Sequence, residues 1–106
     1  MAKYAPIHPG EVLKKDFLDE MGITPYALSR DAGIDKGKLS RIINGKASIS
    51  ADTALRLGTY FSTSPDSWMN LQARYDLEVA KDLNLRRIVR EVRAYDSSAA
   101  ISATNR

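Results

Sequence analysis

The sequence predicts an all-α chain of five helices, with a helix-turn-helix near its middle and a candidate further helix towards the C-terminus. Three observations carry this. Apolar residues recur at three- and four-residue intervals over most of the length. Capping residues, prolines and glycines punctuate those runs. The segment from Thr24 to Gly45, TPYALSRDAGIDKGKLSRIING, reads as two short helices joined by a tight glycine turn.

Within that segment Thr24 caps the first helix, and Pro25 fits the first helical position, where a missing N–H is harmless. Gly33 falls where a helix ending in a left-handed conformation needs a residue without a Cβ. Ile34 then supplies an apolar contact, and Asp35 caps the second helix. Leu39, Ile42 and Ile43 share one face of that helix. Gly37, Arg41 and Asn44 point the opposite way, with Lys38 and Ser40 on the flanks. One helix braces while the other offers a polar, basic face to a DNA groove.

The remaining elements follow in order. Residues 1–7 form an extended lead-in, and His8 belongs to the turn entering the first helix rather than to a metal or catalytic site, because it has no partner for either. From Glu11 to Met21 the stripe Val12, Leu13, Phe17 and Met21, with Leu18 alongside, reads as a helix that Gly22 ends. The two central helices cover about 25–32 and 36–44. Ala27, Leu28 and Ala32 face the core, and Ser29 keeps the helix crossing close. Ser50 caps a fourth helix running to Phe61, with Ala54, Leu55, Leu57 and Phe61 mostly inward. Ser64-Pro65 starts a fifth, to about Lys81, whose stripe of Trp68, Leu71, Tyr75 and Val79 reads as core because aromatics bury large areas. A separate helix over Asp82–Tyr95 is a candidate, with Leu85, Ile88, Val89 and Val92 on one side and four arginines on the rest. The expected organisation is a DNA-binding domain over 1–81, a helical arm over 82–96 and a disordered tail over 97–106.

The totals set bounds on function. The 106 residues make one domain with a tail, and 43% hydrophobic content suffices for a modest core. Lys and Arg outnumber Asp and Glu by 16 to 13, which permits nucleic-acid binding without establishing it. One histidine and no cysteine argue against a zinc site, and no disulfide can form, which suits a reducing cytoplasm. No apolar run approaches the roughly 20 residues of a membrane span. No phosphate loop, metal cluster or nucleophile constellation is present, so the chain reads as a non-enzyme with no cofactor.

Positive charge gathers in and after the second helix of the central pair, where Lys36, Lys38, Arg41 and Lys46 meet the single acid Asp35. The base-reading candidates are Lys36, Lys38, Ser40 and Arg41, with Arg41 foremost because its guanidinium fork matches a guanine edge. The phosphate candidates are Thr24 and Tyr26 at the first helix start and Lys46 and Ser48 in the loop after the second, both natural phosphate clamps because free N–H groups at helix starts attract anions, together with the exposed Arg30 and with Asn44 late in the second helix. Gly37 reads either as a close-approach point for a groove or as a tolerated weak spot.

With these residues assembled, the chain resembles the HigA (VapI-like) antitoxins of the Xre/Cro/C1-type helix-turn-helix superfamily, over about residues 7–80. The resemblance rests on IHPGEVLKKDFLDEMGIT, the helix-turn-helix, INGKASISADTALRLGTYF and SPDSWMNLQARYDLEVA. The HPGE start combined with the later W-x-N-L-Q-x-x-Y-D-L is its most specific part. It implies a five-helix lambda-repressor-like domain, a homodimer, an inverted-repeat double-stranded DNA operator and repression of the protein's own operon. It also implies a cognate HigB-like toxin, a ribosome-dependent mRNA endoribonuclease neutralised by direct contact. Two positions depart from the pattern: Asp35 stands at a cap that is often Ser or Thr, and Pro25 replaces a glutamine common in the superfamily. The competing expectations are a stand-alone repressor without a toxin and a protein-interaction module that no longer binds DNA.

Overall fold

The computed structural model describes residues 5–95, and the expected tail over 97–106 lies outside them. Five helices and no strands make up the described chain. Helix α1 starts at Pro9–Val12 and continues as a π-helical stretch over Leu13–Asp19. It is followed by α2 (Pro25–Ala32), α3 (Lys36–Ile43), α4 (Ala51–Phe61) and α5 (Pro65–Glu91).

His8 caps α1: its Nδ1 accepts a hydrogen bond from the Gly10 N–H at 2.8 Å. Its ring also meets Tyr75 of α5 edge-on, with centroids 4.8 Å apart. His8 therefore does belong to the turn entering the first helix. Gly10 is buried against the end of α3, where an added Cβ would fall 1.8 Å from the Ile42 carbonyl oxygen. The HPG start is thus a docking device, in which cap, ring-locked proline and absent side chain let α1 seat directly on α3.

The π-helical stretch corrects one expectation. Leu13 and Leu18, five residues apart, are both fully buried, whereas Met21 is 54% exposed. A turn closed by i→i+5 bonds is wider than an α turn, so a stripe counted at α-helical spacing drifts out of phase by the end of the segment. Leu55 is likewise exposed rather than inward, because the buried face of α4 is Thr53, Ala54, Leu57 and Gly58.

The core gathers Leu13, Leu28, Leu39, Ile42, Leu57 and Trp68 from all five helices. Trp68 packs on Phe17 at 5.0 Å between centroids and donates its indole N–H to Thr63 Oγ1 at 2.9 Å. Phe61 closes the cluster against Phe17 at 4.9 Å. Of the expected core stripe, Trp68 is buried and Leu71 packs partly against it, whereas Tyr75 and Val79 are only half-buried and lie outside the core cluster, because α5 leaves the body of the domain beyond Gln72. Gln72, 4% exposed, accepts the Ile49 N–H at 2.8 Å and donates to Asp76 at 2.9 Å, tying the α3–α4 loop to α5.

The expected break between helices at residues 81 and 82 is not there. α5 runs 27 residues to Glu91. No glycine or proline interrupts it after Pro65, strong helix formers dominate its second half, and Arg87 pairs with Glu91 one turn on at 3.0 Å. The longest dimension of the molecule, 56 Å, reflects this projecting rod.

Replacing Gly10 by alanine forces a backbone shift at the α1–α3 contact. We expect about 1–3 kcal/mol of destabilisation, read as a lowered urea midpoint with an unchanged m-value.

Candidate nucleic-acid interface

The central pair forms as its local sequence dictates. Thr24 Oγ1 accepts the Ala27 N–H at 3.1 Å to cap α2, and Asp35 Oδ2 accepts the Lys38 N–H at 2.9 Å to cap α3. Gly33 takes φ +69, the left-handed turn between them. Ser29, buried at the crossing, donates its hydroxyl to the Ile34 carbonyl, while the Ile34 N–H returns to the Ser29 carbonyl at 3.1 Å. Arg56 of α4 seals the turn from outside, donating to the Ala32 carbonyl at 3.2 Å while Asp52 holds it at 2.8 Å.

α3 buries Leu39 and Ile42 and turns Lys36, Gly37, Ser40 and Arg41 outward. The base-reading candidates separate around it. Lys36 and Ser40 border a shallow cleft with Pro25, Leu39 and Ile43. Lys38 lies on the other flank, half-buried, with its ammonium 3.5 Å from Ser50 Oγ at the cap of α4. Arg41 lies across Gly37: a Cβ there would sit 3.4 Å from an Arg41 guanidinium nitrogen and 3.2 Å from Asp35 Oδ2. A side chain at Gly37 would thus crowd the capping carboxylate and touch the Arg41 guanidinium.

The phosphate candidates fall into two groups. Thr24, Tyr26 and Arg30 stand exposed along α2. Arg30 pairs with Asp31 through two contacts, at 2.9 and 3.3 Å. That hydrogen bond, with a smaller charge attraction, holds the Asp31 carboxyl below the usual carboxylate range and raises Arg30. Asn44, Lys46 and Ser48 are exposed at the far end. Asn44 reaches back to Ser40 Oγ at 3.4 Å, and the Lys46 N–H bonds the Arg41 carbonyl at 2.7 Å, so this loop finishes α3. Among the described residues no cluster of His, Cys, Asp or Glu could hold a metal, and no helix is long and apolar enough to cross a membrane.

Three residues that position the interface were not singled out as such from the sequence: Gly10, Arg56 and Gln72. Gly10 and Gln72 lie inside the two quoted motifs, HPGE and W-x-N-L-Q-x-x-Y-D-L, and the structure supplies their reason. For Arg56 the local spacing pairs it with Asp52, but its bond to the central turn has no local signal, because that acceptor, the Ala32 carbonyl, is 24 residues away.

A two-helix unit with a capped, outward-facing polar α3, braced by three further helices, defines a helix-turn-helix DNA-binding domain. The chain belongs to the Cro/C1-type helix-turn-helix DNA-binding family, whose model it matches over residues 15–72, and within it to the HigA and VapI antitoxin group. It is 40% identical over 75 residues to virulence-associated protein I of Dichelobacter nodosus, covering 71% of this chain and 69% of that one. It is 37% identical to antitoxin HigA-1 of Vibrio cholerae, covering 71% and 70%. Among solved structures it superposes on Pseudomonas aeruginosa antitoxin HigA, determined with the higBA promoter, at a TM-score of 0.82 and 43% identity, covering 86% and 99%. The family is one of non-enzymatic DNA-binding regulators.

Asp35→Ala removes the α3 cap and should cost about 1 kcal/mol of stability, whereas Asp35→Ser retains an acceptor and most of that stability. Thermal denaturation of the two variants side by side checks this.

Proposed function

We propose that this chain is the cytoplasmic antitoxin of a HigB-HigA-like toxin–antitoxin pair and represses its own operon. The observation that carries the reading is the face of α3, where Lys36, Ser40 and Arg41 stand outward on a helix buried along its other side, in a chain like a HigA solved with its promoter. Arg41 is the principal base reader, with Lys36 and Ser40 beside it. Lys38, lying towards α4, serves the edge of the contact. Thr24, Tyr26, Arg30, Asn44, Lys46 and Ser48 supply phosphate contacts from the two ends.

The chain acts as a homodimer on an inverted-repeat operator. One eight-residue reading helix spans few base pairs, and paired half-sites one DNA turn apart add both affinity and specificity. The exposed Leu83, Leu85, Ile88, Val89 and Val92 on the projecting end of α5 support association, because so many apolar side chains on one short stretch mark a contact surface. Neutralisation of a toxin that cleaves mRNA by direct binding is the second half of the proposal, drawn from the HigA relatives.

Co-purification with the product of the neighbouring gene, followed by footprinting of the complex on the shared promoter, tests both halves. A stable complex and a protected inverted repeat are expected. Neither partner nor footprint would overturn the reading. Arg41→Ala should weaken promoter binding by about 1–3 kcal/mol in titrations, and unchanged affinity would remove Arg41 from base reading.

A further inference from the structure

Tyr26, the second residue of α2, is 58% exposed, and two cations lie against its ring. The Lys36 ammonium lies 5.3 Å from the ring centroid, and the Arg30 guanidinium lies 5.6 Å from it. The two cations differ in one respect. Arg30 is already paired to Asp31. Among the described residues, no carboxylate lies within ion-pair distance of Lys36, and the ring is the partner that holds it. Lys36 is also the first residue of α3, the end of a recognition helix that meets base edges. A lysine there has a long flexible stem and a point charge, so its reading of a base depends on how far its conformations are restricted beforehand.

From this arrangement we infer that Tyr26 is a positioning residue: its ring face pre-orients the Lys36 ammonium towards one base step. Pro25, the other α2 residue bordering the cleft beside Lys36, cannot do this, having no aromatic face. Asp31 supports it indirectly by satisfying Arg30, which leaves Lys36 the uncompensated charge on the ring. The inference rests on the DNA-binding reading, and it differs from a phosphate role for Tyr26 in needing the ring and not the hydroxyl.

The test compares wild type, Tyr26→Phe, Tyr26→Leu and Lys36→Ala by selection from duplexes with randomised half-sites, and by NMR of each free chain. The Lys36→Ala profile marks the position that Lys36 reads. Tyr26→Leu should lose about two- to fivefold of the preference at that same position, the scale of an exposed cation–π contact, while Tyr26→Phe keeps it. In the free chain the Lys36 ε-methylene protons should be shifted upfield by the ring in wild type and Tyr26→Phe, and unshifted in Tyr26→Leu. Tyr26→Leu retaining both the preference and the shift would overturn the inference. So would Tyr26→Phe losing as much preference as Tyr26→Leu, since the hydroxyl would then be the working group. Lys36→Ala with no altered position would overturn it as well. A wild-type chain without preference at any position, but with the upfield shift intact, would overturn the operator reading instead.

Discussion

Everything at the reading face depends on how α3 is gripped. Its buried side is fixed by Leu39 and Ile42, but apolar packing alone leaves a short helix free to slide and rotate. Polar and steric contacts remove that freedom at both ends. At the start, the Ser29 hydroxyl of α2 holds the Ile34 carbonyl just before α3, and at the end the Ile42 carbonyl region receives Gly10 with no side chain between the two backbones. The loop that follows is held by the Gln72 carboxamide on the Ile49 N–H, a directional bond inside the core where leaving the donor unpaired costs about 1–3 kcal/mol.

These contacts also explain why the two family motifs, far apart in sequence, occur together. His8 and Gly10 come from the start of the chain, and Gln72, Tyr75 and Asp76 from α5. In the structure both sets converge on the C-terminal end of α3, where His8 meets Tyr75 and Gln72 meets the loop. Each motif is half of one support. Trp68, from the same α5 motif, anchors the opposite side through Phe17 and Thr63.

Helix identity, caps and the central turn were legible in the sequence because they are local: Thr24, Asp35, Ser50 and Ser64 all cap as their spacing indicates, and Gly33 turns as it must. Two features were not legible. The π-helical winding of α1 has no signature at α-helical spacing, so Met21 was assigned to the wrong face. The continuity of α5 past Lys81 is the other: no glycine or proline falls between Pro65 and Glu91, and a run of arginines is not a stop signal. At the candidate site, the residue types were readable but their directions were not. Lys38 and Lys36 are two positions apart, yet one reaches towards α4 and the other lies over Tyr26, a division set by neighbouring elements.

The Gly10 contact has a consequence for what happens on the duplex. With α1 and α3 in backbone contact, and the segments flanking α3 held by Ser29 and Gln72, the reading head has little capacity to reshape itself to a target. Mismatch between protein and groove must then be absorbed by bending or twisting the DNA, at an energy that depends on which base steps are being deformed. Base pairs that no side chain touches would then contribute to recognition through their stiffness, and on the proposed inverted repeat this would include the spacer.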